Sequence, residues 1–259
     1  MDNREKFPVA AEILETDFYV DDLVSGVSNI ESGKEVQKQP IELLSCASMK
    51  LNKWSSNCKH MLQELPYEAQ EYHFDRDEEK VKTLGLIWNP KHTFEFSVSN
   101  PTNNSERTKR SILSHIARIS NPMGLLGPVI VTAKLFMKTL WLVKRDWDQP
   151  LLENEIRNWT KFVFSLKALQ GIKVKRFILI ENYEFLELHG FSDASEKAFG
   201  VAIYLRCTNS SEQSSMRLLC SKSRIAPIKR KSIPRLELCA AVLLSKLVKE
   251  GDCIFKIRV

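Results

Sequence analysis

Two groups of acidic residues in this sequence have the type and setting that metal-dependent phosphoryl transfer requires. The first is the adjacent pair Asp21 and Asp22, within the run Phe18-Tyr-Val-Asp-Asp-Leu-Val24. Strand-forming residues flank the pair, which predicts a β-hairpin whose tip lets both carboxylates approach one divalent ion. Carboxylate oxygens suit Mg²⁺, and paired ions can activate a hydroxyl and stabilise a leaving pyrophosphate. The alternative is an ordinary surface turn that happens to contain two aspartates.

The second group depends on a sheet and a helix near the end of the sequence. Three short apolar runs, at 184–193, 200–206 and 216–222, are joined by small or polar residues and predict an antiparallel meander. Ser232 and Pro234 then mark the start of a helix that is apolar on almost every face. Such a helix lies inside a fold and must cover the sheet.

This packing concerns Asp193, at the end of the first predicted strand, and Glu237, in the first turns of the helix. If the helix start folds back over the first strand, the two carboxyl groups are expected to face each other about 4 to 8 Å apart. A carboxylate among apolar neighbours needs a partner, and a metal ion is one such partner. The alternative is that Glu237 is a helix-start acid stabilised by the helix macrodipole.

The elements before this region divide into two segments. The first, about 1 to 95, mixes predicted strands at 17–24 and 81–88 with a helical stretch at 41–65 that is interrupted near Trp54, which indicates an α+β fold. A polar stretch at 99–105 follows, and a mainly helical segment then extends to about residue 170. Proline and glycine between 122 and 128 divide that segment into at least two helices.

Charge and composition favour a polyanionic partner without requiring one. The 259 residues carry a formal net charge of +6. Between 217 and 235 there are seven cations and no acid, which beside a metal site predicts a patch that follows a nucleic-acid backbone, and otherwise a solvated loop. These cations are Arg217, Lys222, Arg224, Lys229, Arg230, Lys231 and Arg235.

The sequence argues against disulfide bonds, secretion, membrane insertion and two common classes of catalytic site. The six cysteines include no CxxC pair, so free thiols in a reducing, intracellular compartment are expected. No secretory signal is present, and the most apolar window, 123–143, contains two lysines, so no membrane association is expected. The sequence has no P-loop, GxGxxG or HExxH motif, which argues against nucleotide-hydrolysing and zinc-protease sites.

Several ordered motifs give the chain a resemblance to BEL/Pao-type retrotransposon pol polyproteins, over roughly residues 7 to 248. The run Tyr19-Val-Asp-Asp22 resembles the YxDD box of reverse transcriptases, and its continuation to Gly26 resembles the BEL/Pao class in particular. The further matching motifs are Leu51-Asn-Lys-Trp-Ser-Ser-Asn57, Lys82-Thr-Leu-Gly-Leu-Ile-Trp88, Thr108-Lys-Arg-Ser-Ile-Leu113, Pro122-Met-Gly-Leu-Leu-Gly-Pro128, His189-Gly-Phe-Ser-Asp-Ala-Ser195 and Ile233-Pro-Arg-Leu-Glu-Leu-Cys-Ala-Ala241.

The resemblance implies a combined α+β and α/β architecture in three parts. Residues 1–98 would be the C-terminal part of a reverse transcriptase palm, 99–183 a helical thumb or connection, and 184–259 the N-terminal half of an RNase H-like domain, namely a three-stranded meander plus a helix. The implied partners are an RNA or RNA–DNA template-primer and the rest of the pol polyprotein. The implied parent activities are RNA-directed DNA polymerase and ribonuclease H.

The resemblance also implies roles for individual residues. Asp21 and Asp22, and separately Asp193 and Glu237, would be catalytic and would bind Mg²⁺. Contacts to nucleic acid are implied for Tyr19, Leu84, Gly85, Lys134 and Lys138. For Lys134 and Lys138, one helical turn apart, the alternative is the solvated face of an amphipathic helix.

The sequence also departs from complete enzymes of this class. The polymerase site requires a further aspartate from an earlier palm strand, but only about twenty residues precede Asp21. The RNase H site requires further acids after the helix, normally beginning with an Asp-Ser pair, and Asp252 is not in that motif. The chain is therefore expected to be truncated and inactive alone, or a non-catalytic nucleic-acid-binding remnant. An aspartic peptidase is disfavoured because Asp193-Ala-Ser195 lacks the required glycine.

Overall fold

The computed structural model describes residues 4–27, 29–74, 80–83, 85–89, 93–96, 107–175, 177–180 and 182–256, without the side chains of Thr83 and 250–256. Contacts divide the chain into two compact units, which are described separately. One comprises Met1–Thr93 with Cys253–Val259, and the other comprises Phe94–Asp252. None of the helices in the described ranges is both long enough and apolar enough to cross a membrane.

The first unit is a small α+β arrangement, as the sequence predicts. Its elements are α1 (Pro8–Thr16), β1 (Phe18–Tyr19), β2 (Asp22–Leu23), α2 (Ile30–Cys46), α3 (Lys59–Gln63), β3 (Val81–Thr83) and β4 (Leu86–Asn89). Helices α1 and α2 are joined by Gln39, whose Oε1 accepts hydrogen bonds from the N–H groups of Val9 and Ala10 at 3.0 and 3.2 Å. These bonds satisfy two of the donors that the first turn of a helix leaves unpaired.

The position of α2 differs from the helix predicted at 41–65. It begins at Ile30, where the Asn29 side chain accepts a hydrogen bond from the N–H of Ser32 at 2.8 Å. Pro40 lies inside the helix, and Gly33 is buried, so that a Cβ there would meet Met61 Sδ at 3.0 Å. Packing outweighs the low helix propensity of both residues.

The second unit combines a helical half with a sheet. Its elements are β5 (Thr93–Phe96), α4 (Lys109–Ala117), α5 (Gly127–Leu142), α6 (Glu153–Ser165), β6 (Lys173–Lys175), β7 (Tyr183–Ala194), β8 (Ala198–Asn209), β9 (Ser214–Ile225) and α7 (Ile233–Lys256). The predicted helical segment thus contains three helices. They share a core whose buried members are Ile112, Ile116, Ala133, Met137, Leu140, Leu151 and Trp159.

The sheet is the predicted meander, with longer strands than the three apolar runs indicate. Its order is β7-β8-β9 and both pairs are antiparallel. Val201, Ile203, Leu205 and Cys207 alternate along β8 and are at most 5% exposed. Leu236, Ala240 and Leu243 on α7 are equally buried, consistent with a helix that covers this face.

The helical half contacts the outer strand of the meander through the motif at 122–128. Gly124 has φ +75°, and a Cβ there would lie 1.6 Å from the carbonyl oxygen of Ser221. The N–H of Ser221 donates to the carbonyl of Met123 at 3.0 Å, and its hydroxyl donates to the carbonyl of Gly124 at 2.5 Å. Only glycine combines this backbone conformation with this close approach.

Candidate functional site

The two aspartates of the first group lie at the tip of a β-hairpin, as predicted. Phe18 pairs with Leu23 and Tyr19 pairs with Asp22, which leaves Val20 and Asp21 as the two turn residues. Val20 has φ +62° and is 90% exposed. A β-branched residue in the left-handed region costs roughly 1 to 2 kcal/mol, and such strain is concentrated at functional sites.

The second turn of the first unit separates β3 from β4. Val81 pairs with Trp88, and Gly85 in the turn has φ +75°. The strand predicted at 81–88 is therefore a hairpin, which agrees with the implied turn at this position. Leu84 lies outside the described residues, and the contacts of Leu84 and Gly85 with nucleic acid stay predictions.

The second group of acids is built on β7 and α7. Glu237 lies one turn into α7, and its Oε1 accepts a hydrogen bond from the backbone N–H of Ala194 at 3.2 Å. Ala194 ends β7 and directly follows Asp193, whose side chain is exposed. The fold thus holds the carboxylate of Glu237 beside Ala194, the residue that follows Asp193.

Asp193 does not lie on the face of β7 that α7 covers, and the expected separation of about 4 to 8 Å between its carboxyl group and that of Glu237 stays a prediction. A Cβ on Gly190 would meet Leu244 of α7 at 3.0 Å, so residue 190 lies on the covered face. The β7–β8 register is continuous from Phe185 to Ala194, so strand alternation places Asp193 on the opposite face.

Glu237 reaches the edge of β7 rather than its covered surface. Within the described residues β7 pairs only with β8, so its outer edge has no strand partner. The N–H of Ser195 bonds to the carbonyl of Ala198 in the hairpin, so by alternation the N–H of Ala194 points to the outer edge. Glu237 accepts that N–H, and its carboxylate therefore lies at an edge from which both faces are accessible.

The acids of the described residues do not form a complete metal site. No group of three or more histidine, cysteine, aspartate or glutamate side chains in the described ranges is placed to hold an ion. Each predicted site therefore contributes two acids, Asp21 with Asp22 and Asp193 with Glu237. The chemistry of these donors fits Mg²⁺, which is commonly held by one or two carboxylates together with waters and substrate phosphates.

The seven cations between 217 and 235 are all exposed, and we call them the basic strip. Lys222 and Arg224 pair in register with Val201 and Phe199 of β8. Because Val201 is buried on the face that α7 covers, Lys222 and Arg224 lie on the same side of the sheet as α7. Arg235 lies in the first turn of α7, so the strip passes beside the start of the helix that carries Glu237.

The two lysines of α5 differ in their surroundings. Lys134 is exposed, whereas Lys138 is partly buried and its ammonium donates to the carbonyls of Ala226 at 2.8 Å and Pro227 at 3.4 Å. Lys138 therefore anchors the segment that follows β9, a structural role that the sequence did not predict. Its contact with nucleic acid and that of Lys134 stay predictions.

A comparison with known protein families gives a match that covers most of the second unit. A family model described as the Pao retrotransposon-like RNaseH-like domain matches residues 108–257, more than half of the chain. The chain belongs to this family. The match begins in the helical half and continues through the meander and α7, so the Pao RNase H-like region includes both. No curated protein matches the chain.

Some residues of this region were not singled out from the sequence as contacts. Ser221 holds Gly124 against β9, and the backbone of Ala194 receives Glu237. The repeated glycines and prolines at 122–128 signalled an unusual turn but not its partner. Serine and alanine carry no comparable signal, because their roles here depend on backbone groups placed by the tertiary fold.

Proposed function

We propose that the chain is part of a Pao-type polyprotein whose RNase H-like region binds RNA–DNA hybrids, with Asp193 and Glu237 holding Mg²⁺ beside the nucleic-acid backbone. The observation that carries this proposal is the 3.2 Å hydrogen bond from Ala194 to Glu237. It brings the helix acid to the end of the strand that carries Asp193, within a chain of this family. The hard oxygen donors and the adjacent basic strip support the same assignment.

The residues of the chain would divide this work. The basic strip would follow the phosphates and position the hybrid without reading its sequence, since lysine and arginine contacts to phosphate carry no base information. The carboxylates of Asp193 and Glu237 would orient the attacking water and the scissile phosphate through the cation that they hold. When bound, Mg²⁺ would supply charge stabilisation and lower the pKa of a coordinated water.

We also propose that residues 1–98 are the C-terminal part of a reverse transcriptase palm. The strained hairpin that presents Asp21 and Asp22 supports this assignment, as does the turn at Gly85. Each site offers two acids among the residues that the structure describes, and two-ion phosphoryl transfer depends on precise positioning of both ions. We therefore propose that the chain alone binds nucleic acid without appreciable catalysis.

Binding of a short RNA–DNA hybrid to the full chain, measured by fluorescence anisotropy over a range of salt concentrations, tests the proposal. The variant to compare is Lys229→Gln combined with Arg230→Gln and Lys231→Gln. The affinity should fall less steeply with salt in the variant. Each lost phosphate contact should reduce the magnitude of the negative slope of log affinity against log salt by about 0.9, because fewer counterions are released. The affinity loss should be the same for hybrids of different sequence.

A matched control removes three exposed lysines from the helical half of the same unit. Lys144→Gln, Lys161→Gln and Lys167→Gln change the net charge by the same amount but leave the basic strip intact. The control should reduce affinity much less than the strip variant. Equal losses in the two variants, or an affinity that salt does not change, would contradict the proposed binding surface.

A further inference from the structure

A groove lies between the helical half and the segment that follows β9. Its volume is about 440 Å³ and its lining is almost entirely apolar. The residues that matter here are Leu113, Lys134, Met137, Trp141, Ile225 and Ile228.

The lining of this groove includes large apolar side chains that the fold leaves exposed. Ile228 is 63% exposed, Trp141 is 45% exposed and Leu113 is 42% exposed. A cluster of exposed apolar residues around a concave surface is typical of a binding site. Trp141 is also held in position, because the Lys109 ammonium lies 3.8 Å from its ring centroid and Trp147 packs edge-on against it.

The charge around the groove favours an anionic ligand. Lys134 is exposed at its rim, and the Lys138 ammonium donates to neutral carbonyls, so its charge is not offset by them. None of the residues that line the groove is acidic. A ligand that joins a flat ring to a phosphate would fit this site, because the ring could stack on the indole of Trp141 and the phosphate could contact a lysine at the groove.

The groove adjoins part of the basic strip along the chain. Ile228, which lines the groove, is followed directly by Lys229, Arg230 and Lys231. A strand whose phosphates contact these three cations would therefore pass close to the groove. This proximity favours nucleic acid over an acidic peptide as the occupant.

We infer that the groove holds an unpaired base of a nucleic-acid strand whose duplex part lies along the basic strip. The base stacks on Trp141 and contacts Ile228, and its phosphate lies at Lys134. The apolar lining offers few groups to hydrogen-bond the base edges, so the site accepts any base. This inference rests on the proposed hybrid binding and adds a subsite for the single-stranded end.

The experiment compares two probes on the full chain, a blunt RNA–DNA hybrid and the same hybrid with a short single-stranded overhang. Base stacking on an aromatic ring increases affinity severalfold or more, so the overhang should strengthen binding by roughly tenfold. Ile228→Ser and Lys134→Glu should remove this gain, and Ile228→Ser, which changes no charge beside the basic strip, should leave the affinity for the blunt hybrid nearly unchanged. Because both side chains are exposed, neither change should prevent folding.

Matched controls place the same substitutions on exposed residues of α6. Phe164→Ser and Lys161→Glu should keep the full gain from the overhang. Equal affinity for the two probes, or a gain that Ile228→Ser leaves intact, would overturn the inference while leaving hybrid binding in place. Competition by an acidic amphipathic peptide but not by a single-stranded oligonucleotide would assign the groove to a protein partner. Failure to bind either probe would overturn the inference and the proposed function together.

Discussion

The carboxylate of Glu237 accepts a hydrogen bond from the backbone N–H of Ala194, a residue 43 positions earlier in the chain. Ala194 is the last residue of β7 and Asp193 precedes it, so Glu237 lies beside the end of the strand that carries Asp193. Glu237 reaches this position along the outer edge of β7, while Asp193 lies on the face that α7 does not cover. A ligand shared by the two acids would therefore lie at the strand edge rather than under the helix.

Replacing Gly124 by alanine should destabilise the second unit by about 2 to 4 kcal/mol, because the new Cβ would overlap the carbonyl of Ser221 and because φ is +75°. Chemical denaturation of the full chain measures this loss. Gly171→Ala is the matched control, since a Cβ there would meet nothing within 4 Å. It should be neutral or slightly stabilising. Equal effects of the two changes would show that the contact between the 122–128 turn and β9 is unimportant.

Lys138→Met should reduce stability by about 1 to 2 kcal/mol, because the carbonyls of Ala226 and Pro227 lose a charged donor. Lys134→Met should change stability by less than about 0.5 kcal/mol, since its side chain is exposed. The opposite order is expected for binding: Lys134→Met should lower the affinity for an RNA–DNA hybrid more than Lys138→Met does. A larger stability loss at Lys134 would contradict the structural role of Lys138.

The stability of the helical half should depend on the protonation of His115. Burial, with a smaller contribution from the charge of Arg118, lowers the pKa of His115 below its ordinary value of about 6.5. The unfolded chain then binds a proton more readily than the folded chain. The stability provided by neutral His115 is therefore present above about pH 6.5 and is lost as pH falls through the lowered folded-state pKa.

Denaturation at a series of pH values, for the original chain and His115→Phe, measures this effect. The aromatic replacement keeps a ring beside Trp159, against which His115 stacks with an interplanar angle of 6°. As the solution is acidified below about pH 6.5, the unfolding free energy of the original chain should fall more than that of His115→Phe. A difference that stays constant with pH would contradict the burial argument.

The full chain should show no templated nucleotide incorporation, because Asp21 and Asp22 alone cannot position two ions. Primer extension with a mock purification as background measures this activity, and cleavage of a labelled hybrid tests the RNase H-like region in the same way. Incorporation above background that Asp21→Asn abolishes would show that the two acids suffice. Incorporation that survives this change would indicate a contaminating polymerase.

Much of this architecture is predictable because it depends on local patterns. The three apolar runs of the meander, the start of α7 at Ser232 and Pro234, and the flanks of Asp21 and Asp22 all indicate elements that the structure contains. The start of α2 was not predictable, since Gly33 and Pro40 disfavour a helix and are accepted only because of packing.

The candidate site was predictable in its residues but not in its geometry. Spacing and resemblance identify Asp193 and Glu237, but the face on which each lies depends on strand register and on which edge of β7 is paired. Lys138 shows the same limit, because nothing in its sequence neighbourhood distinguishes a lysine that binds strand-end carbonyls from one that faces solvent. Contacts between residues distant in the chain decide both cases.

Calorimetric titration of Mg²⁺ into the metal-free full chain tests most directly whether Asp193 and Glu237 share a cation. The original chain should bind Mg²⁺ saturably, and Asp193→Asn and Glu237→Gln should each remove the same part of that binding, distinct from any part that Asp21→Asn removes, while circular dichroism shows an unchanged fold. Glu212→Gln, an exposed acid in the turn between β8 and β9, should bind as the original chain does. Binding that both Asp193→Asn and Glu237→Gln leave intact would contradict the assignment of these two residues as the metal site.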